Sequence, residues 1–228
     1  MSAFTIVCFG DSVTRGAPHV PAEDAFPAIL ERRLNVRGGA RRYCVRNAGV
    51  GGENSAEGLA RIEADVLAHA PQLVVVEFGL NDVRYEPEKA VAVPGFAANL
   101  KAIAGRVRSA GGAVVFTTPN PIINSLHPYS QSVSYYDRWG GCHQALEEYV
   151  EAVRRVCTET EAPCCDLHAA FVAKAMEAEF RGEVRDYRDL VTLTPYLSRD
   201  DGVHPTVRGH YLIAQDLYKV LWTLLPPP

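Results

Sequence analysis

The run LVVVEFG at residues 73–79 is apolar at almost every position. A strand with one wet face alternates apolar and polar residues, whereas an unalternating strand has to be covered on both faces. That requirement points to a parallel sheet with helices packed above and below it. Other β-like runs fit the same frame: FTIVCFG at 4–10, YCVRNAG at 43–49, AVVFTT at 113–118 and the shorter PCCDLH at 163–168. Helical periodicity fills the gaps. Phe26, Ile29, Leu30 and Leu34 keep a 3–4 spacing, as do Leu59, Ile62 and Val66. Phe96, Leu100, Ile103 and Val107 repeat it before a Gly111-Gly112 stop. Leu146, Tyr149, Val150 and Val153 mark another helix, and Leu212, Ile213, Leu217, Val220 and Leu221 the last. Strand alternating with helix predicts an α/β fold whose central five-stranded parallel sheet has helices on both faces.

A chain of 228 residues with 47% apolar and 22% charged residues suits one well-packed domain, read here as spanning 1–228. The formal charge of −4 and the lack of a long basic block argue against a nucleic-acid surface. Arg41-Arg42 and Arg154-Arg155 read as solvated faces. The apolar run Ile6–Phe9 is too short for a secretory core, and no stretch of about 20 apolar residues offers a membrane span. A cytoplasmic protein with no membrane partner is expected. Six cysteines without a CxxC spacing then read as reduced thiols. Cys164-Cys165 near His168 reads as a buried strand, and no metal or cofactor is expected.

Two stretches escape the strand–helix pattern, 119–137 after the fourth strand and 181–205 before the last helix. Long structureless loops near strand carboxyl ends are where open α/β sheets bind ligands. The glycine cluster NAGVGGEN at 47–54 lacks the third glycine of a dinucleotide fingerprint, and neither a Walker A loop nor a G-x-S-x-G elbow occurs. Four short polar blocks do occur: GDS at 10–12, NAGVGGEN at 47–54, GLND at 79–82 and DGVH at 201–204. Each has a plain structural reading. Asp11 or Ser12 could cap a helix, Asn81-Asp82 could form an Asx turn, and His204-Pro205 could open a helix with proline at its first position.

Taken together and in this order, the blocks resemble the GDSL family of serine esterases, also called SGNH hydrolases. The resemblance runs from Gly10 to His204 and implies a three-layer, flavodoxin-like sandwich. It puts the nucleophile at Ser12, the family glycine at Gly52, the asparagine at Asn81, and the D-x-x-H pair at Asp201 and His204.

The residue types suit that task. A serine hydroxyl at neutral pH needs a base within hydrogen-bond reach. His204, flanked by a loop acid and a proline, has that setting; His19, His69, His127, His143, His168 and His210 read as solvated or core residues. The base must also hold one tautomer, which Asp201 can fix from three residues away, with adjacent Asp200 as the substitute. The family resemblance implies that backbone carbonyls can also orient the ring, so that the acid's share is smaller than in other triads. For the oxyanion the expected donors are the Ser12 N–H at a helix start, the Gly52 N–H and the Asn81 amide. A carboxylate in place of Asn81 would repel the oxyanion. Asp11 and Asp82 are expected to brace their loops.

The function this implies is hydrolysis of a small-molecule carboxylic ester through an acyl-serine intermediate. The alternatives are a lysophospholipase, a thioesterase, an acyltransferase using the same site, or a binding domain that has kept the fold. Pro121, Tyr129, Tyr135, Tyr136, Tyr187 and Tyr196 on the two long loops are the candidate pocket walls. Their aromatic and polar mixture points to short acyl groups or O-acetyl esters.

Overall fold

The computed structural model describes residues 3–37, 41–186, 188 and 190–225. Strands β1 (Phe4–Gly10), β2 (Tyr43–Gly49), β3 (Leu73–Glu77), β4 (Ala113–Thr117) and β5 (Cys164–Cys165) form one parallel sheet in the order β2-β1-β3-β4-β5. The register pairs Ile6 with Val45 on one side and with Leu73 on the other, so β1 lies inside the sheet. All of β3 is buried, as its unalternating apolar run requires.

Helices α1 (Ser12–Arg15), α2 (Phe26–Arg37), α3 (Ser55–Asp65), α4 (Val93–Ser109), α5 (Pro128–Ser132), α6 (Cys142–Thr160), α7 (Leu167–Phe180) and α8 (Val207–Leu224) complete the architecture. On one side α3, α4 and α6 pack in series; on the other α2 and α7 flank α8. The strand order reverses direction after β2, which is what puts α2 and α3 on opposite faces when crossovers are right-handed. The three-layer flavodoxin-like sandwich is the observed fold.

Two expectations are corrected. The run 163–168 is a strand only at Cys164–Cys165, because Asp166 accepts from the Ala169 N–H at 3.0 Å and starts α7 one residue later. The two long loops are not structureless: the first holds α5 and a 3₁₀ stretch at Ser134–Trp139, and the second a 3₁₀ turn at Leu190–Leu193.

Helix α8 is tied to α2 by His210, whose Nδ1 accepts from the Phe26 N–H at 3.2 Å. Burial pushes the His210 pKa down to about 4, so the ring is held neutral. A base depressed in the fold contributes stability above its unfolded value, lost as pH falls toward the folded one. Relative to His210→Gln, the protein should therefore lose up to about 3 kcal/mol between pH 7 and 4. Denaturant melts at the two pH values check this; parallel pH dependences in protein and variant would exclude it.

Candidate active site

The four polar blocks converge at the carboxyl edge of the sheet, around the switch point between β1 and β3 where open sheets bind ligands. Strand β1 ends at Gly10, and Asp11 rather than Ser12 caps α1, its carboxylate accepting from the Val13 N–H at 2.8 Å. Ser12 is thus the first residue of the helix with its hydroxyl free of capping. Asp11 is fully buried, and burial followed by the charge of Glu77 holds its carboxyl well above the usual range.

His204 Nε2 lies 3.0 Å from Ser12 Oγ, and His204 Nδ1 lies 2.8 Å from Asp201 Oδ2. The other oxygen of Asp201 accepts from the Val203 and His204 N–H groups at 2.8 and 2.9 Å. Partial burial alone would raise the Asp201 pKa; the bonds from the His204 ring and these N–H groups reverse that and hold it at about 2. An ionised Asp201 can accept a proton from Nδ1, and in that tautomer Nε2 would be the acceptor for the serine hydroxyl.

The loop that carries this pair is pinned to the one after β4. Ile123 N–H donates to the Gly202 carbonyl at 2.9 Å, and the Asn120 amide donates to the Val203 carbonyl at 3.0 Å. Gly202 has φ +67°, and a Cβ there would come within 2.7 Å of the Ile123 carbonyl oxygen. The middle of the D-x-x-H block therefore requires glycine. Pro205 does not open α8; Thr206 caps it, accepting from the Gly209 N–H at 3.3 Å.

Asn81 reaches the site from the loop after β3, and its Nδ2 donates to Asp11 Oδ2 at 3.1 Å and to the Glu53 carbonyl at 3.0 Å. Both amide protons are therefore engaged by protein acceptors. Gly52 follows β2 with φ +79° and open space on its Cβ side, while a Cβ on neighbouring Gly51 would lie 3.8 Å from Ser12 Cβ. Neither the Ser12 nor the Gly52 N–H donates to another group among the described residues. Asp82 accepts from the Ser55 N–H at 3.0 Å and its hydroxyl at 2.5 Å, bracing the start of α3. Burial pushes its pKa up to about 7.

A cleft of about 400 Å³ opens over Ser12, Asn81, Asp201 and His204. Leu80, Val83, Tyr136 and Cys142 give it an apolar side, and Arg84, His127 and Tyr129 a polar one. The Arg84 guanidinium is already held by Glu86 and the Tyr129 hydroxyl. Of the expected wall residues, Tyr129 and Tyr136 line the cleft. Tyr135 packs on Trp139 instead, Tyr196 packs on Phe171 and Arg208, and Pro121 is buried away from the lining. Tyr187 lies outside the described residues. Leu80, Val83, Arg84, Cys142 and His127 went unread in the sequence as wall residues because three separate loops and helices supply them. His19 also went unread: its ring lies on that of His204. A hollow of similar volume is lined, among the described residues, by Arg32, Arg33, Val36 and Tyr218, with no serine, cysteine, histidine or carboxylate among them.

Residues 8–212 match the GDSL-like Lipase/Acylhydrolase family. The chain belongs to that family. It is 28% identical over 178 residues to an acetylxylan esterase of Geobacillus stearothermophilus, covering 75% of this chain and 68% of that one. It is 30% identical over 179 residues to an arylesterase of Vibrio mimicus, covering 77% of this chain and 84% of that one. The crystal structure of a lipase/acylhydrolase from Enterococcus faecalis superposes with a TM-score of 0.76 over 98% of both chains at 23% identity, a likeness of fold. Membership of this family makes the protein a carboxylic ester hydrolase. No helix among the described residues is long and apolar enough to cross a membrane.

Proposed function

We propose that the protein hydrolyses short-chain acyl or O-acetyl esters, with Ser12 as nucleophile, His204 as base and Asp201 as its orienting acid. The observation that carries this is the unbroken chain from Asp201 Oδ2 through the His204 ring to Ser12 Oγ, with contacts of 2.8 and 3.0 Å. His204 Nε2 takes the hydroxyl proton as Ser12 Oγ bonds to the ester carbonyl carbon, and the carbonyl electron pair moves onto its oxygen. The imidazolium then gives that proton to the leaving alkoxide as the C–O bond breaks, leaving the acyl-serine. Water attacks in the second half, with His204 again taking and returning a proton. This chemistry calls for neither metal nor cofactor.

The oxyanion is assigned to the Ser12 N–H, the Gly52 N–H and the Asn81 amide. For Asn81 this means exchanging its bond to Asp11 or Glu53 for one to the oxyanion as charge develops. Asn81→Ala should lower kcat by about 10²–10³ with KM little changed. A loss confined to KM, or a fall in Tm with kcat intact, would reduce Asn81 to a substrate contact or a brace.

The cleft's modest volume and its mixed lining support a short acyl group. Values of kcat/KM for p-nitrophenyl esters of two to sixteen carbons should peak between acetyl and about hexanoyl. A maximum at ten carbons or more would favour a lysophospholipase or a thioesterase for long acyl chains. New esters formed in the presence of added alcohols would favour an acyltransferase. A cytoplasmic setting belongs to the same proposal, supported by six free thiols.

A further inference from the structure

His19 lies on the segment between α1 and α2, exposed to solvent, and none of the signature blocks contains it. Its ring covers one face of the His204 imidazole, with centroids 3.5 Å apart and planes 9° from parallel. The chain is turned into this position by the nucleophile's own helix. Gly16 N–H donates to the Ser12 carbonyl at 2.9 Å, Val20 N–H donates to the Gly16 carbonyl at 3.1 Å, and the Val20 side chain is buried. Ser12 and His19 are thereby set on one short, tied segment, each against a different part of His204: Ser12 on Nε2 in the ring plane, His19 on the ring face.

Two neutral aromatic rings avoid this face-to-face overlap, because their quadrupoles repel. An imidazolium over a neutral ring is attracted instead. The stack therefore suits best the charge state in which His204 has just taken the serine proton; in the resting state it is the tied segment, rather than attraction between the rings, that holds them together. Burial, and then the charge of His204, hold the His19 pKa below its ordinary value, so His19 supplies the neutral ring. The pair is not a chelate with Asp201, although their ligand atoms lie within 4.8 Å. Parallel rings carry their in-plane lone pairs side by side, and these do not converge on one tetrahedral ion.

We propose that His19 is a positioning residue that stacks on His204 and stabilises the imidazolium formed as Ser12 attacks. This rests on the reading of His204 as the base. A group that helps only the charged form raises kcat without changing substrate affinity.

His19→Ala should lower kcat on p-nitrophenyl acetate by about 3- to 10-fold, with KM within about twofold. Its Tm should match that of the unaltered protein, since His19 is exposed. His19→Phe keeps a flat neutral face without a titrating nitrogen and should restore kcat to within about twofold. An unchanged kcat in His19→Ala, or a His19→Phe as impaired as His19→Ala, would overturn the role. The His204 ring proton resonances provide a readout that needs no turnover. Ring current from the stack should shift them in the unaltered protein and in His19→Phe, and the shift should vanish in His19→Ala. Resonances that do not move in His19→Ala refute the stack. Failure of the esterase reading itself would show separately, as an unaltered protein that turns over no ester while those resonances still move.

Discussion

Ser12→Ala should lose on the order of 10⁵–10⁶ of kcat and remain folded. The hydroxyl makes its contact with His204 Nε2 at 3.0 Å, while the cap that holds α1 in place is the Asp11 carboxylate. Removing Oγ therefore deletes the proposed nucleophile without deleting the helix start. His204→Ala should cost a similar factor, and the double variant little more than either, because the members of such a set act as one unit. Ester turnover, with circular dichroism to check folding, separates the outcomes. A folded Ser12→Ala protein with a tenth of the activity would mean that the attacking group lies elsewhere.

Asp201→Asn is expected to lower kcat by about 10³–10⁴. The carboxylate oxygens are fully used, one by two backbone N–H groups and one by His204 Nδ1. An asparagine can keep one of those roles by turning its oxygen toward the backbone. Its NH₂ then faces Nδ1, which becomes the acceptor, so the proton moves to Nε2 and the base is lost. With its pKa held at about 2, Asp201 keeps its charge at any pH above about 4, so this defect should persist across the neutral range. A loss of only about tenfold would show that backbone carbonyls orient His204, as the family resemblance allows. Comparing Asp201→Asn with Asp201→Ala separates the wrong tautomer from the missing contact.

Much of the fold was legible because burial on both faces leaves an unalternating apolar run, which is why β1, β3 and β4 were found nearly to the residue. The site blocks were legible for a related reason: each sits where a strand or loop ends, so its position in the chain fixes its position on the sheet edge. Helix α7 was missed because Asp166 can be read as the polar end of a strand as easily as a cap. The buried residues behind it, Leu167, His168, Phe171, Ala175 and Ala178, keep a helical spacing that could have found it. The cleft walls were legible only in part. Tyr129 and Tyr136 line it, yet Tyr135 is drawn away by Trp139, four residues later in the same 3₁₀ stretch. His19 carries no local signal, since its role depends on a contact with a residue 185 positions away, from His19 to His204.

The most direct measurement is the site of covalent modification by a fluorophosphonate, which phosphonylates an activated serine hydroxyl and expels fluoride. Peptide mass spectrometry should find a single adduct, on Ser12, absent from Ser12→Ala and formed far more slowly in His204→Ala. An adduct on another residue, or a protein that stays unlabelled while still hydrolysing esters, would contradict a Ser12 nucleophile activated by His204.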